Sequence, residues 1–283
     1  MSPSVICRLQ LVAAAVLFST GGAAIKATQF TGWQVAGFRS GIAAAALLLL
    51  LPESRRRWSP RVGLIGLSYA ATLVLFVLAN KLTTAANAIF LQSTAPLYLV
   101  IFAPWLLKER IHLKDWITLA AVGAGLTLFF TAAEAPAVTA PDPLAGNFLG
   151  AGTGLTWAIT LTGLRWMASS SGKDAGLATV AAGNLTAFLI CLPMTLPLQD
   201  SSLADWATVG YLGVFQIGLA YVLLTRGVRG VPALEVSLLL MIEPALNPVW
   251  AWFLHAEAPS ASAMLGGALI LGATVLRIVT ARR

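Results

Sequence analysis

Long apolar stretches, separated at near-regular intervals by short polar ones, dominate the pattern of this chain. Eight runs of at least 17 residues contain no Asp, Glu, Lys or Arg: 9–25, 62–80, 82–107, 116–133, 143–164, 175–199, 206–225 and 258–276. Each approaches or exceeds the ~20 residues a helix needs to cross ~30 Å of hydrocarbon. Two further apolar segments, 33–52 and 231–254, are interrupted only by Arg39 and by Glu235 and Glu243. The runs are rich in Leu, Ala and Gly and lack alternation of period two, so they predict helices rather than barrel strands. The expectation is an all-α polytopic membrane protein with ten transmembrane helices. Residues 9–25 after Arg8 could also pass for a cleaved leader ending near Ala23-Ala24. They are kept as helix 1 because the segment has a counterpart in the second half of the chain.

Composition supports lipid as the solvent. The set AVILMFWYC makes up 58% of the chain and charged residues only 10%, against about a quarter charged in a soluble protein. A net charge of +7 invites a nucleic-acid reading, but its distribution explains it otherwise. With the N-terminus placed in the cytoplasm, the even-numbered loops and both tails hold 15 of the 18 basic residues, from Arg8 through Arg55–Arg57 and Arg61 to Arg282 and Arg283. Lys26 and Lys81 fall on the opposite side, together with Glu134, Asp142, Asp200, Asp205 and Glu257. This is the positive-inside bias, and it predicts an N-in/C-in protein of a bacterial cytoplasmic (inner) membrane whose basic face meets anionic lipid. Membrane lipids are therefore expected partners, and nucleic acid is not.

The chain also matches itself. A shift of 148 residues lays Pro96 on Pro244, Glu109 on Glu257, Lys81 on Arg229 and Asn87 on Glu235; a shift of 139 lays Phe18 on Trp157 and Lys26 on Arg165. The chain then reads as two five-helix units, 1–133 and 145–283, joined by a Pro- and Ala-rich linker at 134–144. Because five is odd, the second unit enters the membrane from the other side. Such inverted repeats place the ligand site at their interface near the midplane.

Pro96 followed by WLLKER (105–110), matched by Pro244 and WFLHAE (252–257), resembles the paired repeat of the drug/metabolite transporter superfamily, EamA type. So do the Gly-rich segments AAVGAGLTL (120–128) and GGALILGATVL (266–276). The likeness covers nearly the whole chain and is greatest to the bacterial aromatic amino-acid exporters (YddG-like). It implies an integral membrane transporter, not an enzyme, that exports small metabolites by alternating access about a central cavity.

Helical spacing indicates which polar side chains share a face. Tyr69, Thr72, Phe76 and Asn80 form one stripe on helix 3, and Asn87, Thr94 and Tyr98 form another on helix 4. Helix 6 offers Thr153, Trp157 and Thr160; helix 8 offers Gln216 and Tyr221; helix 9 offers Glu243, Asn247 and Trp250. Lipid provides no hydrogen bonds, so such groups face one another or a water-filled cavity. The substrate-binding candidates are Trp157, Tyr98, Phe76 and Tyr221 for a ring, and Asn80, Asn87 and Gln216 for polar ends. Single Thr and Ser residues read more simply as helix–helix glue, and tryptophans at span ends as an interfacial belt.

Three intramembrane charges stand apart. Glu243 precedes Pro244 in the middle of helix 9, where the proline frees a carbonyl; the carboxylate suits coupling to a proton or contact with a substrate amine. Pro96 marks the matching helix break in the first unit. Glu235, in the first turn of helix 9, favours the helix dipole. Arg39 is expected to snorkel to the outer surface, with binding of a substrate carboxylate as the alternative. Two cysteines and two histidines offer no disulfide framework, metal cluster or HExxH pattern. No cofactor or metal is expected, and a membrane-embedded lipid enzyme is disfavoured. The expected cargo is a small-molecule substrate, foremost an aromatic or neutral amino acid, with organic cations, drugs or choline-like amines as the alternative. A monomer is expected.

Overall fold

The computed structural model describes residues 3–95, 97–98, 113–131, 135–171, 175–198, 201–228, 231 and 233–280. Thirteen α-helices run through them. In chain order these are α1 (Pro3–Ser19), α2 (Gly21–Lys26), α3 (Gly32–Leu50), α4 (Pro60–Leu82), α5 (Ala85–Gln92), α6 (Leu113–Thr131) and α7 (Pro143–Ser171). The second half continues with α8 (Gly176–Cys191), α9 (Leu203–Tyr211), α10 (Ala220–Gly227), α11 (Ala233–Leu240), α12 (Ile242–His255) and α13 (Ala261–Thr280). A π-helical stretch, Leu212–Leu219, joins α9 to α10 without a break. All ten apolar runs therefore carry helix in their described parts, and among the described residues five helices are long and apolar enough to cross a membrane.

Helix starts follow local chemistry. Thr31 and Gln34 form a capping box at α3, and Ser202 and Asp205 form one at α9, each satisfying two otherwise orphaned backbone donors. Ser59 caps α4 with Pro60 in its first turn, and Thr84 caps α5. Pro52 closes α3, because the residue before a proline is pushed out of helical geometry.

Three of the runs are not straight helices. The first bends at Thr20, where the Ser19 and Thr20 hydroxyls donate back to the carbonyls of Val16 and Leu17 at 2.7 Å each, a contact that loosens and bends a helix. Gly21 and Gly22 follow because neighbours press on the backbone. A Cβ on Gly22 would lie 2.6 Å from Asn247 Oδ1 and 3.0 Å from Ala85 Cβ. The run 82–107 is interrupted by a turn at Ser93-Thr94, and Pro96 lies outside the described residues. The run 231–254 breaks at Met241, between α11 and α12.

Pro244 lies three residues past this break, in the first turn of α12, where it has no N–H to offer the Leu240 carbonyl at the end of α11. The proline in the helix interior is Pro248.

Helix α4 lies centrally, packed on α7 and α8, while α1 packs on α10 and α12 and α6 packs on α13. Helices from the two halves of the sequence thus interleave, and the cavity described next lies where they meet.

Candidate substrate cavity

A cavity of about 140 Å³ lies midway along α4. Phe18 of α1, Tyr69 and Phe76 of α4, Trp157 of α7 and Tyr221 of α10 supply its aromatic walls. Arg39 of α3, Gln92 of α5, Gln216 of the π-helical stretch and Glu243 of α12 supply its polar groups. A guanidinium and a carboxylate therefore open into one small space.

The aromatic side is tightly ordered. The Tyr69 and Tyr221 hydroxyls are 2.7 Å apart. The Tyr221 ring meets Phe18 edge-on at 5.2 Å between centroids, and Tyr69 lies 6.1 Å from Trp157. An edge-to-face pair such as Phe18–Tyr221 fixes ring orientation and contributes about 0.5–1.5 kcal/mol beyond simple burial.

Arg39 corrects the snorkelling expectation. Its side chain is 2% exposed, and Nη2 donates to the Leu73 carbonyl at 3.0 Å. The α3 face that carries it packs against α4, α8 and the π-helical stretch, so the guanidinium has no route to the surface. Its Nε is buried with no hydrogen-bond partner among the described residues, and an unpaired donor on a buried cation is costly. The Gln216 Oε1 is left in the same condition, while its Nε2 reaches the Phe18 carbonyl at 3.4 Å. Both groups line the cavity, where an incoming ligand can satisfy them.

Of the residues singled out from sequence, Trp157, Phe76, Gln216, Tyr221, Glu243 and Arg39 meet at this cavity. Asn80, Asn87 and Tyr98 do not line it. Asn80 Nδ2 donates to the Phe76 carbonyl at 2.8 Å, one turn beyond the cavity. Asn87 belongs to a separate buried cluster, donating to Asn147 Oδ1 at 3.1 Å and to Thr83 Oγ1 at 3.2 Å. Asn147 also accepts from Thr83 Oγ1 at 2.8 Å and donates to the Phe129 carbonyl at 2.8 Å, so it ties α5, α6 and α7 together. The Tyr98 hydroxyl lies 3.5 Å from the Ala151 carbonyl on α7. Glu235 starts α11 as expected and is also paired with Arg8, Nε to Oε1 at 2.5 Å. Phe18 and Gln92 were missed as wall residues; neither belongs to a polar stripe.

A second polar layer seals one end of the molecule, the end that the charge bias assigns to the exterior. Lys26 Nζ lies 3.0 Å from Glu257 Oε2, with the two side chains 3% and 5% exposed. Lys26 also donates to the carbonyls of Thr83, at 2.8 Å, and Thr139. Glu257 Oε1 accepts the Ala85 N–H at 2.6 Å. From the cavity, α1–α2 continues eight residues from Phe18 to Lys26, and α4 continues seven from Phe76 to Thr83. At ~1.5 Å per residue the ion pair sits roughly 10 Å beyond the cavity. Between the two levels, Trp250 Nε1 donates to Ser19 Oγ at 2.9 Å and His255 Nε2 is 2.8 Å from the Ala23 carbonyl.

Comparison with known proteins places this architecture. The EamA-like transporter family matches the chain twice, over residues 6–131 and 144–279. The threonine/homoserine exporter RhtA of Escherichia coli (strain K12) is 26% identical over 257 residues, covering 88% of this chain and 82% of that protein. The Salmonella typhimurium (strain LT2) protein of the same name is 28% identical over 222 residues, covering 77% and 70%. The pseudopaline exporter CntI of Pseudomonas aeruginosa (strain UCBPP-PA14) is 24% identical over 277 residues and covers 94% of each chain. A solved structure titled only as a crystal structure of a protein covers both chains fully, with a TM-score of 0.64 and 21% identity; that likeness concerns the fold.

Proposed function

Because this chain belongs to the EamA-like transporter family, we propose that it exports compact, zwitterionic amino acids across the bacterial inner membrane, as a monomer working by alternating access. The observation that carries this reading is the shared cavity of Arg39 and Glu243. Arg39 takes the substrate carboxylate on its unpaired Nε edge, and Glu243 takes the ammonium group. The rings of Phe76, Trp157 and Tyr221 hold the side chain. The printed names of the relatives, exporters of threonine and homoserine and of pseudopaline, favour cargo with amino-acid chemistry. They extend by analogy to a chain of this modest identity.

The volume limits the cargo. An apolar cavity of ~150 Å³ takes a benzene-sized molecule, and about 140 Å³ must here also hold the substrate's ammonium and carboxylate groups. A short side chain such as that of threonine therefore suits this state, and a phenyl or indole side chain requires the cavity to widen. The inverted arrangement of the halves supplies the motion: each five-helix unit tilts about the cavity, so that the sealed end opens as the opposite end closes.

Substrate analogues test the reading without relying on a folded variant. In proteoliposome counterflow, threonine methyl ester and N-acetylthreonine should each bind about ten- to a hundredfold more weakly than threonine, since a hydrogen bond to a charged group contributes about 1.5–3 kcal/mol. Arg39→Leu should erase the difference between acid and ester and leave the N-acetyl penalty in place. Glu243→Gln should do the reverse. Equal transport of a quaternary amine and threonine would instead support the organic-cation reading and remove Arg39 from the site.

A further inference from the structure

Among the described residues, a wider indentation than the central cavity lies on the outside of the molecule. A groove of about 960 Å³ runs along the outer surface between α4 and α7. Leu64, Leu67, Ala71 and Leu75 line it from α4, spaced 3, 4 and 4 and hence on one helical face. Thr156, Ile159, Gly163 and Trp166 line it from α7 at spacings of 3, 4 and 3. The polar atoms of its floor are satisfied internally: Ser68 Oγ donates to the Thr156 carbonyl at 2.9 Å and Thr72 Oγ1 to Thr156 Oγ1 at 2.9 Å. What remains facing outward is apolar, with Leu64 68% and Ile159 41% exposed.

Length and charge identify the occupant. From Leu64 to Leu75 the wall runs about 16 Å along α4, close to the ~15 Å depth of one leaflet, half the ~30 Å hydrocarbon core. Trp33 and Ile190 close its far end. At the near end the Arg61 guanidinium lies over the Trp166 ring, 4.6 Å from its centroid. The preceding connection carries Arg55, Arg56 and Arg57 against a single acidic residue, Glu53. A second copy meeting this face across a twofold axis would bring two such basic mouths together. We infer that the groove is a binding site for an anionic phospholipid of the cytoplasmic leaflet, with one acyl chain laid between α4 and α7 and its phosphate at Arg61. Because α4 and α7 come from different halves of the chain, the lipid lies across the seam along which the halves must move. The inference is independent of what the central cavity carries.

Native mass spectrometry of the purified full chain, supplied with phosphatidylglycerol or phosphatidylcholine, tests it. The wild type should retain one phosphatidylglycerol in preference to phosphatidylcholine. Arg61→Gln should cut that preference about fivefold, the effect of one arginine near an anionic surface. Ala71→Phe, which fills the groove, should abolish retention of either lipid; Ile159→Trp serves the same purpose should the first variant fail to fold. Equal retention of the two lipids by the wild type overturns the headgroup assignment, and unchanged retention in both groove-filling variants overturns the site. Efficient disulfide crosslinking of two Ala71→Cys copies in phosphatidylglycerol nanodiscs would show that protein, not lipid, covers the groove.

Discussion

Glu257→Gln is the most informative single change that the structure suggests. Lys26 and Glu257 are both nearly water-free, and their pair joins the end of α2 to the segment after α12. The amide of glutamine can still accept the Ala85 N–H, but Lys26 then loses its carboxylate partner and has only the carbonyls of Thr83 and Thr139 for company in the interior. Removing one partner of a buried pair costs about 3–5 kcal/mol, mostly because the other charge is left uncompensated. Opening this end admits water to Lys26 and relieves that cost, so the penalty falls on the sealed state. At ~1.4 kcal/mol per tenfold, the balance between sealed and open forms should move by two to three orders of magnitude.

The assay uses a background free of Cys7 and Cys191 with one cysteine placed at Ala86, which is 2% exposed beside the pair. A membrane-impermeant maleimide applied from outside should label the wild-type background slowly and the Glu257→Gln variant at least tenfold faster. The double variant Lys26→Met, Glu257→Leu should recover thermal stability, since apolar residues of similar size can replace a buried pair at little cost. A Glu257→Gln protein that melts earlier yet labels no faster would refute the argument. The pair would then be a staple of the fold and not a seal that opens during transport.

Two further outcomes follow from particular contacts. Trp157→Ala should raise the half-saturating concentration of phenylalanine three- to tenfold relative to that of threonine, the magnitude of a lost aromatic pairing, as read from competition in counterflow; an unchanged ratio removes Trp157 from side-chain recognition. Asn147→Ala deletes three buried hydrogen bonds to Thr83, Asn87 and Phe129, and at ~0.6 kcal/mol per interhelical bond in a membrane should cost about 2 kcal/mol in thermal unfolding without changing transport per folded molecule.

Much of this architecture is legible in the chain before any coordinates, because the bilayer imposes a simple rule. A stretch without charge long enough to cross lipid has to satisfy its own backbone and so becomes helix. The irregularities went unread: Ser19-Thr20-Gly21-Gly22 spells a bend with a close approach inside a run assigned to a single helix. Phase was harder to read. The helix 4 stripe of Asn87, Thr94 and Tyr98 assumed uninterrupted winding, yet regular α5 stops at Gln92 and a turn at Ser93-Thr94 separates Asn87 from the other two. Asn80 falls a turn past the cavity for the opposite reason: its stripe holds, but the cavity is shorter than the stripe. Arg39 could not be placed at all from its own helix. Whether such a side chain reaches water or turns inward depends on which neighbours flank it, and no spacing rule encodes that. Lys26 and Glu257 were each matched to a repeat partner, but they were read as loop charges facing water. Two opposite charges at the same predicted depth, on helices that both line a core, were the signal that could have paired them.

The π-wound stretch Leu212–Leu219 has a bearing on how this chain can vary. Gln216 and Tyr221 are five positions apart, a separation that in ordinary α winding turns two side chains about 140° away from each other. Bonding from each residue to the fifth along brings such positions toward one side, and here both reach the same chamber. The wall is thus built from a surplus residue as much as from residue types. Deleting one amino acid anywhere between Leu212 and Leu219 would leave the composition of the segment almost untouched and let it relax to a regular spiral. The amide would then point elsewhere while the phenol stayed put, so the wall of the chamber depends on the length of this span as well as on its side chains.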